Sequence, residues 1–110
     1  MQDTIRNITP AELQARLDDG FSGTLLDVRE ADELRSTGVI PGVVHIPLGS
    51  LPGRLESLPA GRPVVVVCRS GARSMRAAQQ LVEAGILAEN LAGGMLAWLG
   101  EGRPVDPYLL

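Results

Sequence analysis

A chain of 110 residues, 45% of them hydrophobic, has the length of one compact domain with a real core, and a formal charge of -3 with a pI near 5.0 gives no general electrostatic footprint for nucleic acid. One cysteine excludes an intramolecular disulfide framework and cysteine-rich zinc sites, and the single histidine, His45, leaves no ordinary histidine metal site. Met1-Gln2-Asp3-Thr4 lack the basic and apolar regions of a secretory signal, and no window approaches the run of about 18 apolar residues that a membrane span requires. The expectation is a soluble protein of the reducing cytoplasm, without metal or cofactor, in which a lone thiol stays free.

Taken in order, Ile5 to Ile8 reads as a short extended stretch. Thr9-Pro10 then opens a helix, with Thr9 as N-cap, Pro10 as first helical residue and Glu12 placed to complete a capping box. That helix presents Leu13 and Leu17 on one face and ends at Gly20. Thr24 to Val28 reads as a buried strand that runs into the charged cluster Asp27, Arg29 and Glu30. A carboxylate there either satisfies backbone donors and pairs with an arginine, or forms part of a site rim, since ligands of open α/β sheets gather beyond the carboxyl ends of strands. Glu30 to Ser36 is a short helix with Leu34 inward, stopped near Gly38.

Val39-Ile40-Pro41-Gly42 signals a turn before a third short strand, Val43 to Ile46. His45 in that strand, followed closely by Pro47, reads as a hydrogen-bonded packing residue, with a base for the cysteine as its other reading. Leu51, Leu55 and Leu58 have helical spacing, and Pro59, Gly61 and Pro63 then interrupt regular structure. Val64 to Val67 is an unbroken β-branched run of the kind buried on both faces of a sheet. Met75 onward is helix, with Ala77, Ala78, Leu81 and Val82 on its apolar side and Gly85 at its close. Ala88 to Leu91 is a last strand, and Gly93-Gly94 leads into a short helix containing Trp98, whose ring packs on the sheet and whose ring nitrogen needs a polar partner. The tail from Glu101 reads as irregular. Alternating short strands and helices predict one three-layer α/β domain over residues 1–110, with a largely parallel sheet and no internal repeat or linker.

The chemistry concentrates between the valine strand and the next helix, in Cys68-Arg69-Ser70-Gly71-Ala72-Arg73-Ser74. Gly71 permits the angles of a hard turn, and Ser70 or Ala72 sits at the helix start, so that backbone N–H groups point at the sulfur or at what binds above it. A free cysteine titrates near 8.5, and a helix N-terminus with nearby arginines lowers that value. A cysteine at a strand end is also often a small buried hydrophobe, but here Arg69 and Arg73 follow it closely and are placed to stabilise a thiolate or hold an anionic reactant. A redox pair would need a second cysteine, a dinucleotide fingerprint would need glycines between Leu25 and Leu34, and a phosphate-binding loop would need a lysine, which the chain lacks entirely. Cysteine-dependent phosphatases and arsenate reductases place five residues between nucleophile and arginine. Here only four separate Cys68 from Arg73, a narrower cradle that suits a sulfur atom better than a phosphoryl group.

The sequence resembles the single-domain rhodaneses, the thiosulfate sulfurtransferase family. The resemblance is carried by Leu26-Asp27-Val28-Arg29, by Gly38 to Gly42 leading to His45-Ile46-Pro47-Leu48, by the loop Cys68 to Arg73, by Gly93-Gly94-Met95 with Ala97-Trp98, and by Gly102-Arg103-Pro104-Val105, in the family's order over about residues 5–105. Val43 departs from the alanine frequent in the family, a matter of packing more than chemistry. The resemblance implies a five-stranded parallel sheet flanked by short helices. It also implies that Cys68 accepts sulfane sulfur as a persulfide from thiosulfate or another donor and passes it to cyanide, a thiol or a sulfur-relay protein. The loop from Arg69 to Ser74 would stabilise the persulfide, and Asp27, Arg29, His45 and Trp98 would support it structurally. The alternatives are a persulfide carrier that does not turn over and, less well matched, a phosphatase or arsenate reductase.

Overall fold

The computed structural model describes residues 5–109. Five strands, β1 (Arg6–Ile8), β2 (Thr24–Asp27), β3 (Val44–His45), β4 (Val64–Val67) and β5 (Ala88–Leu91), form one sheet in the order β1-β5-β4-β2-β3, with every pairing parallel. Three α-helices, α1 (Pro10–Asp18), α2 (Ala31–Thr37) and α3 (Ala72–Glu83), connect strands, and α4 (Gly94–Gly100) follows β5. Among the described residues no helix is long and apolar enough to cross a membrane.

The uninterrupted valines of β4 follow from its position at the centre of the sheet. Val64 and Val66 face one side, packing with Leu26, with Ala77, Ala78 and Leu81 of α3, and with Leu51 and Leu58. Val65 and Val67 face the other, packing with Leu25, with Leu13 of α1, and with Met95 and Trp98 of α4. Each fully buried valine contributes roughly 1.5–3 kcal/mol, so neither face tolerates a polar residue. Thr9 caps α1 as expected, its hydroxyl accepting from Glu12 N–H while the Glu12 carboxylate accepts from Thr9 N–H. Trp98 is buried, and its Nε1 donates to the Pro104 carbonyl at 2.8 Å.

Two local expectations change. The leucine-spaced segment is not one helix but two 3₁₀ turns, Leu48–Gly53 and Leu55–Ser57. Pro52 lies inside the first and removes a donor that an α-helix would use, yet Leu51 and Leu58 still point inward. α3 starts at Ala72, one of the two starts expected, and its first turn is built from the polar loop. The tail is less free than its composition implies, since Val39 and Asp106 exchange two backbone hydrogen bonds of 2.8 Å.

The sheet also explains where a site belongs. From β2 the chain crosses outward to β3, and from the neighbouring β4 it crosses the opposite way to β5, which opens a crevice beyond the carboxyl ends of β2 and β4. At the end of β2 the Asp27 carboxylate receives the Arg29 guanidinium in full burial, with Nη2 to Oδ2 at 2.9 Å. Arg29 donates further to Thr37 Oγ1 at 2.8 Å and to the Gly38 carbonyl at 3.1 Å, tying β2 to the end of α2. Replacing Arg29 by leucine strands a buried carboxylate and should cost about 3–5 kcal/mol of unfolding free energy, whereas the double replacement of Asp27 and Arg29 by leucine should recover much of the loss. Urea denaturation of the two variants measures both, and a single variant within 0.5 kcal/mol or so of the parent would show that the pair does not anchor β2.

Candidate active site

Cys68 follows β4 directly and is buried at 1% exposure. The chain turns through Arg69 and Ser70 to Gly71, the N-cap of α3, whose φ of +110° is left-handed and strained for any residue with a side chain. This turn aims Gly71 N–H at Cys68 Sγ, 3.1 Å away. The first turn of α3 brings Ser74 Oγ to 3.2 Å from the same sulfur. Ser74 is itself fully buried, and its hydroxyl also reaches Asn90 Oδ1 on β5.

The second support comes from α4. Met95 N–H donates to the Cys68 carbonyl at 2.9 Å and Leu96 N–H to the Arg69 carbonyl at 3.0 Å. That approach requires Gly94, where a Cβ would stand 2.5 Å from the Cys68 carbonyl oxygen and 2.6 Å from that of Arg69. The glycine pair ahead of Trp98 is therefore part of the loop's seat.

Burial pushes the Cys68 thiol up, but the Ser74 hydroxyl and the amides of Ser74, Gly71 and Ser70 outweigh it, and the thiol lies below its ordinary value. Those groups are uncharged, and the Arg73 guanidinium adds an attraction to the charged sulfur. The two arginines stand differently. Arg73 makes a bidentate pair with Glu33 of α2, at 2.8 and 2.7 Å, while Arg69 is exposed. Arg73 holds the Glu33 carboxyl at about 2, against an ordinary 4.5, with help from the Glu30 amide. Arg69 lines a cleft of about 270 Å³ with Glu33, Thr37, Met95, Leu96 and Leu99.

The loop from Arg69 to Ser74 is therefore gathered around Cys68, and Asp27 with Arg29 stands at the adjoining strand end. His45 faces elsewhere: its Nε2 donates to the Arg29 carbonyl at 2.7 Å and its Nδ1 lies 3.4 Å from the Tyr108 hydroxyl. Sequence reading missed Glu33, Gly94 and Asn90 as site residues. A carboxylate forty positions from its arginine leaves no local signal. Asn90, an amide at 3% exposure in a strand, does leave one, because a buried polar side chain needs partners.

Residues 9–101 match the family model for the rhodanese-like domain, and the chain belongs to that family. It is 40% identical over 100 residues to the Bacillus subtilis protein named "Putative sulfurtransferase YtwF", covering 91% of this chain and 96% of that one. It is also 40% identical over 108 residues to the maize "Adenylyltransferase and sulfurtransferase MOCS3-1", covering 91% of this chain but only 22% of the longer maize protein. A rhodanese-related protein from Thermoplasma volcanium superposes with a TM-score of 0.84 at 33% identity, over 92% of this chain and 97% of the other.

The Glu33–Arg73 pair makes a pH-dependent contribution whose sign is fixed. Because the folded carboxyl titrates near 2 and the unfolded one near 4.5, the pair's stabilisation is complete above 4.5 and is lost as the pH falls towards 2. The pair is partly solvated, so Glu33→Gln should cost on the order of 1–2 kcal/mol at pH 7 and nothing near pH 2. Denaturation curves across that range test it, and a pH-independent difference would remove the ion pair as the cause.

Proposed function

We propose that this protein is a sulfurtransferase, moving sulfane sulfur from thiosulfate or a related persulfide donor to a thiophilic acceptor through a persulfide on Cys68. The observation that carries this reading is a buried sulfur at a helix start, met by the Gly71 amide and the Ser74 hydroxyl and titrating below its ordinary value. The sulfurtransferase names of the YtwF and maize relatives support it.

In the first step the Cys68 thiolate attacks the outer sulfur of thiosulfate. A bond forms between Sγ and that sulfur, the original sulfur–sulfur bond breaks, and its electron pair leaves with sulfite. In the second step cyanide or a thiolate attacks the terminal sulfur, and the electron pair of the breaking bond returns to Sγ. With cyanide the product is thiocyanate. No proton or external oxidant enters either balance. The loop amides stabilise the anionic sulfur in both resting forms, and fixed donors of this kind need no rearrangement as charge moves outward by one atom.

The arginines take separate roles in this reading. Arg69, exposed and lining the cleft, holds the sulfonate oxygens of the donor, while Arg73, engaged by Glu33, braces the loop against α2. A sulfur-relay partner is the acceptor that best fits a domain whose counterpart in maize is a small part of a longer chain. A carrier that accepts sulfur but does not turn over with small molecules is the second reading favoured by that same observation.

Steady-state thiocyanate formation tests the assignments. Replacing Cys68 by alanine should abolish it. R69A should raise KM for thiosulfate on the order of tenfold with kcat within about twofold, the pattern of a lost binding contact. Parent-like efficiency in both R69A and R73A would defeat the arginine roles. Sulfur uptake on Cys68 without thiocyanate release would select the carrier.

A further inference from the structure

Asn90 is a buried amide on β5 whose orientation is fixed by its neighbours. Its Nδ2 lies 3.3 Å from the Gly71 carbonyl and 2.9 Å from Asn7 Oδ1. The Gly71 carbonyl can only accept, so the amide nitrogen must face it and Oδ1 must face Ser74. Ser74 has one hydroxyl hydrogen, and with Asn90 Oδ1 as its acceptor that hydrogen points away from Cys68. The contact of 3.2 Å between Ser74 Oγ and Cys68 Sγ is then made by the thiol donating to the hydroxyl oxygen. This arrangement fits a protonated cysteine. A thiolate or a persulfide has no hydrogen to give and needs the Ser74 hydrogen turned towards it, at the expense of Asn90.

We propose that Asn90 is a positioning residue that competes with Cys68 for the Ser74 hydroxyl hydrogen, and so sets how readily the thiol ionises. The proposal deepens the reading of Cys68 as a nucleophile and rests on it, but concerns the protonation of the free enzyme before any donor arrives. Other groups around the sulfur are Arg73 of α3 with its partner Glu33 of α2, Arg69 of the loop, and the Asp27–Arg29 pair at the end of β2; α4 contributes only apolar and glycine residues. Asn90 carries no charge, so removing its amide leaves the local field in place and reaches the thiol through Ser74, or through Gly71, whose carbonyl it also holds and whose effect survives without the Ser74 hydroxyl. A buried amide ordinarily steadies its surroundings, and its loss would be expected to leave a catalytic thiol less well stabilised. Competition for one hydrogen predicts the reverse.

The test measures the Cys68 titration directly, from the pH dependence of iodoacetamide alkylation and of thiolate absorbance near 240 nm, with no sulfur donor present. N90L removes the competing acceptor at similar volume, and should move the titration downward by on the order of one pH unit. N90D keeps the shape, offers a stronger acceptor and adds negative charge, and should move it upward. In an S74A background the downward shift from N90L should vanish, because no hydroxyl remains to be released. An unchanged or raised titration in N90L, or an equal downward shift with and without Ser74, would overturn the proposal. Should N90L melt too early to titrate, N90D and N90D/S74A decide: the upward shift must shrink when the hydroxyl is absent, and an equal shift in both refutes the competition. Failure of sulfur transfer in the parent protein would leave this titration intact, so the two readings fail separately.

Discussion

Cys68 Sγ is shut away from water, still receives the Gly71 N–H at 3.1 Å and lies 3.2 Å from the Ser74 hydroxyl oxygen, and the rest of the molecule is arranged so that both contacts persist. Burial alone would hold the proton on the sulfur, since the charged form loses its hydration. Donors that replace that hydration must be present before the charge is, and this one reversal of chain direction between β4 and α3 supplies them. β4 fixes where the turn begins because its four valines are clamped from both faces, and α3 fixes where it ends because Ala77, Ala78 and Leu81 dock on the same sheet. Neither anchor shifts without opening the core.

Around that turn, three further devices act on different atoms. α4 ties down the carbonyls of Cys68 and Arg69, a contact possible only because Gly94 has no side chain. Glu33 holds Arg73, so the guanidinium braces the loop while its charge is largely answered. Asn90 holds Ser74 from the far side and connects the loop to β1 through Asn7. The division leaves Arg69 as the exposed guanidinium beside the cleft, a cation that can meet an incoming anion without first breaking a pair in the fold.

Most of the scaffold was legible in the sequence because its determinants are local. The valine run of β4, the Thr9-Glu12 capping box and the polar partner for Trp98 each follow from a few adjacent residues. The same holds for the cysteine, glycine and serine of the loop, whose spacing forces them together. The resemblance to the rhodanese family, carried by five short segments, added the strand count. What stayed hidden depends on pairing across the fold. Glu33 reads as an ordinary early-helix acid until α2 is seen beside α3, and the hydroxyl and amides beside the sulfur join the Arg73 charge that the sequence pointed to. The segment with leucines at helical spacing shows the converse error, since Pro52 and Gly53 weigh more than periodicity, and Leu51 and Leu58 are buried and Leu55 half-buried without an α-helix. Asn90 stands in the strand read from the sequence at Ala88 to Leu91, and its burial makes it one of the informative residues of the chain.

Intact-mass spectrometry of the purified protein after thiosulfate treatment under non-reducing conditions tests the chemistry of Cys68 most directly. The parent protein should gain the mass of one sulfur atom and lose it on addition of cyanide, while C68S gains none. A parent protein whose mass never changes, or a C68S variant that takes up the sulfur equally, would contradict a persulfide at this position.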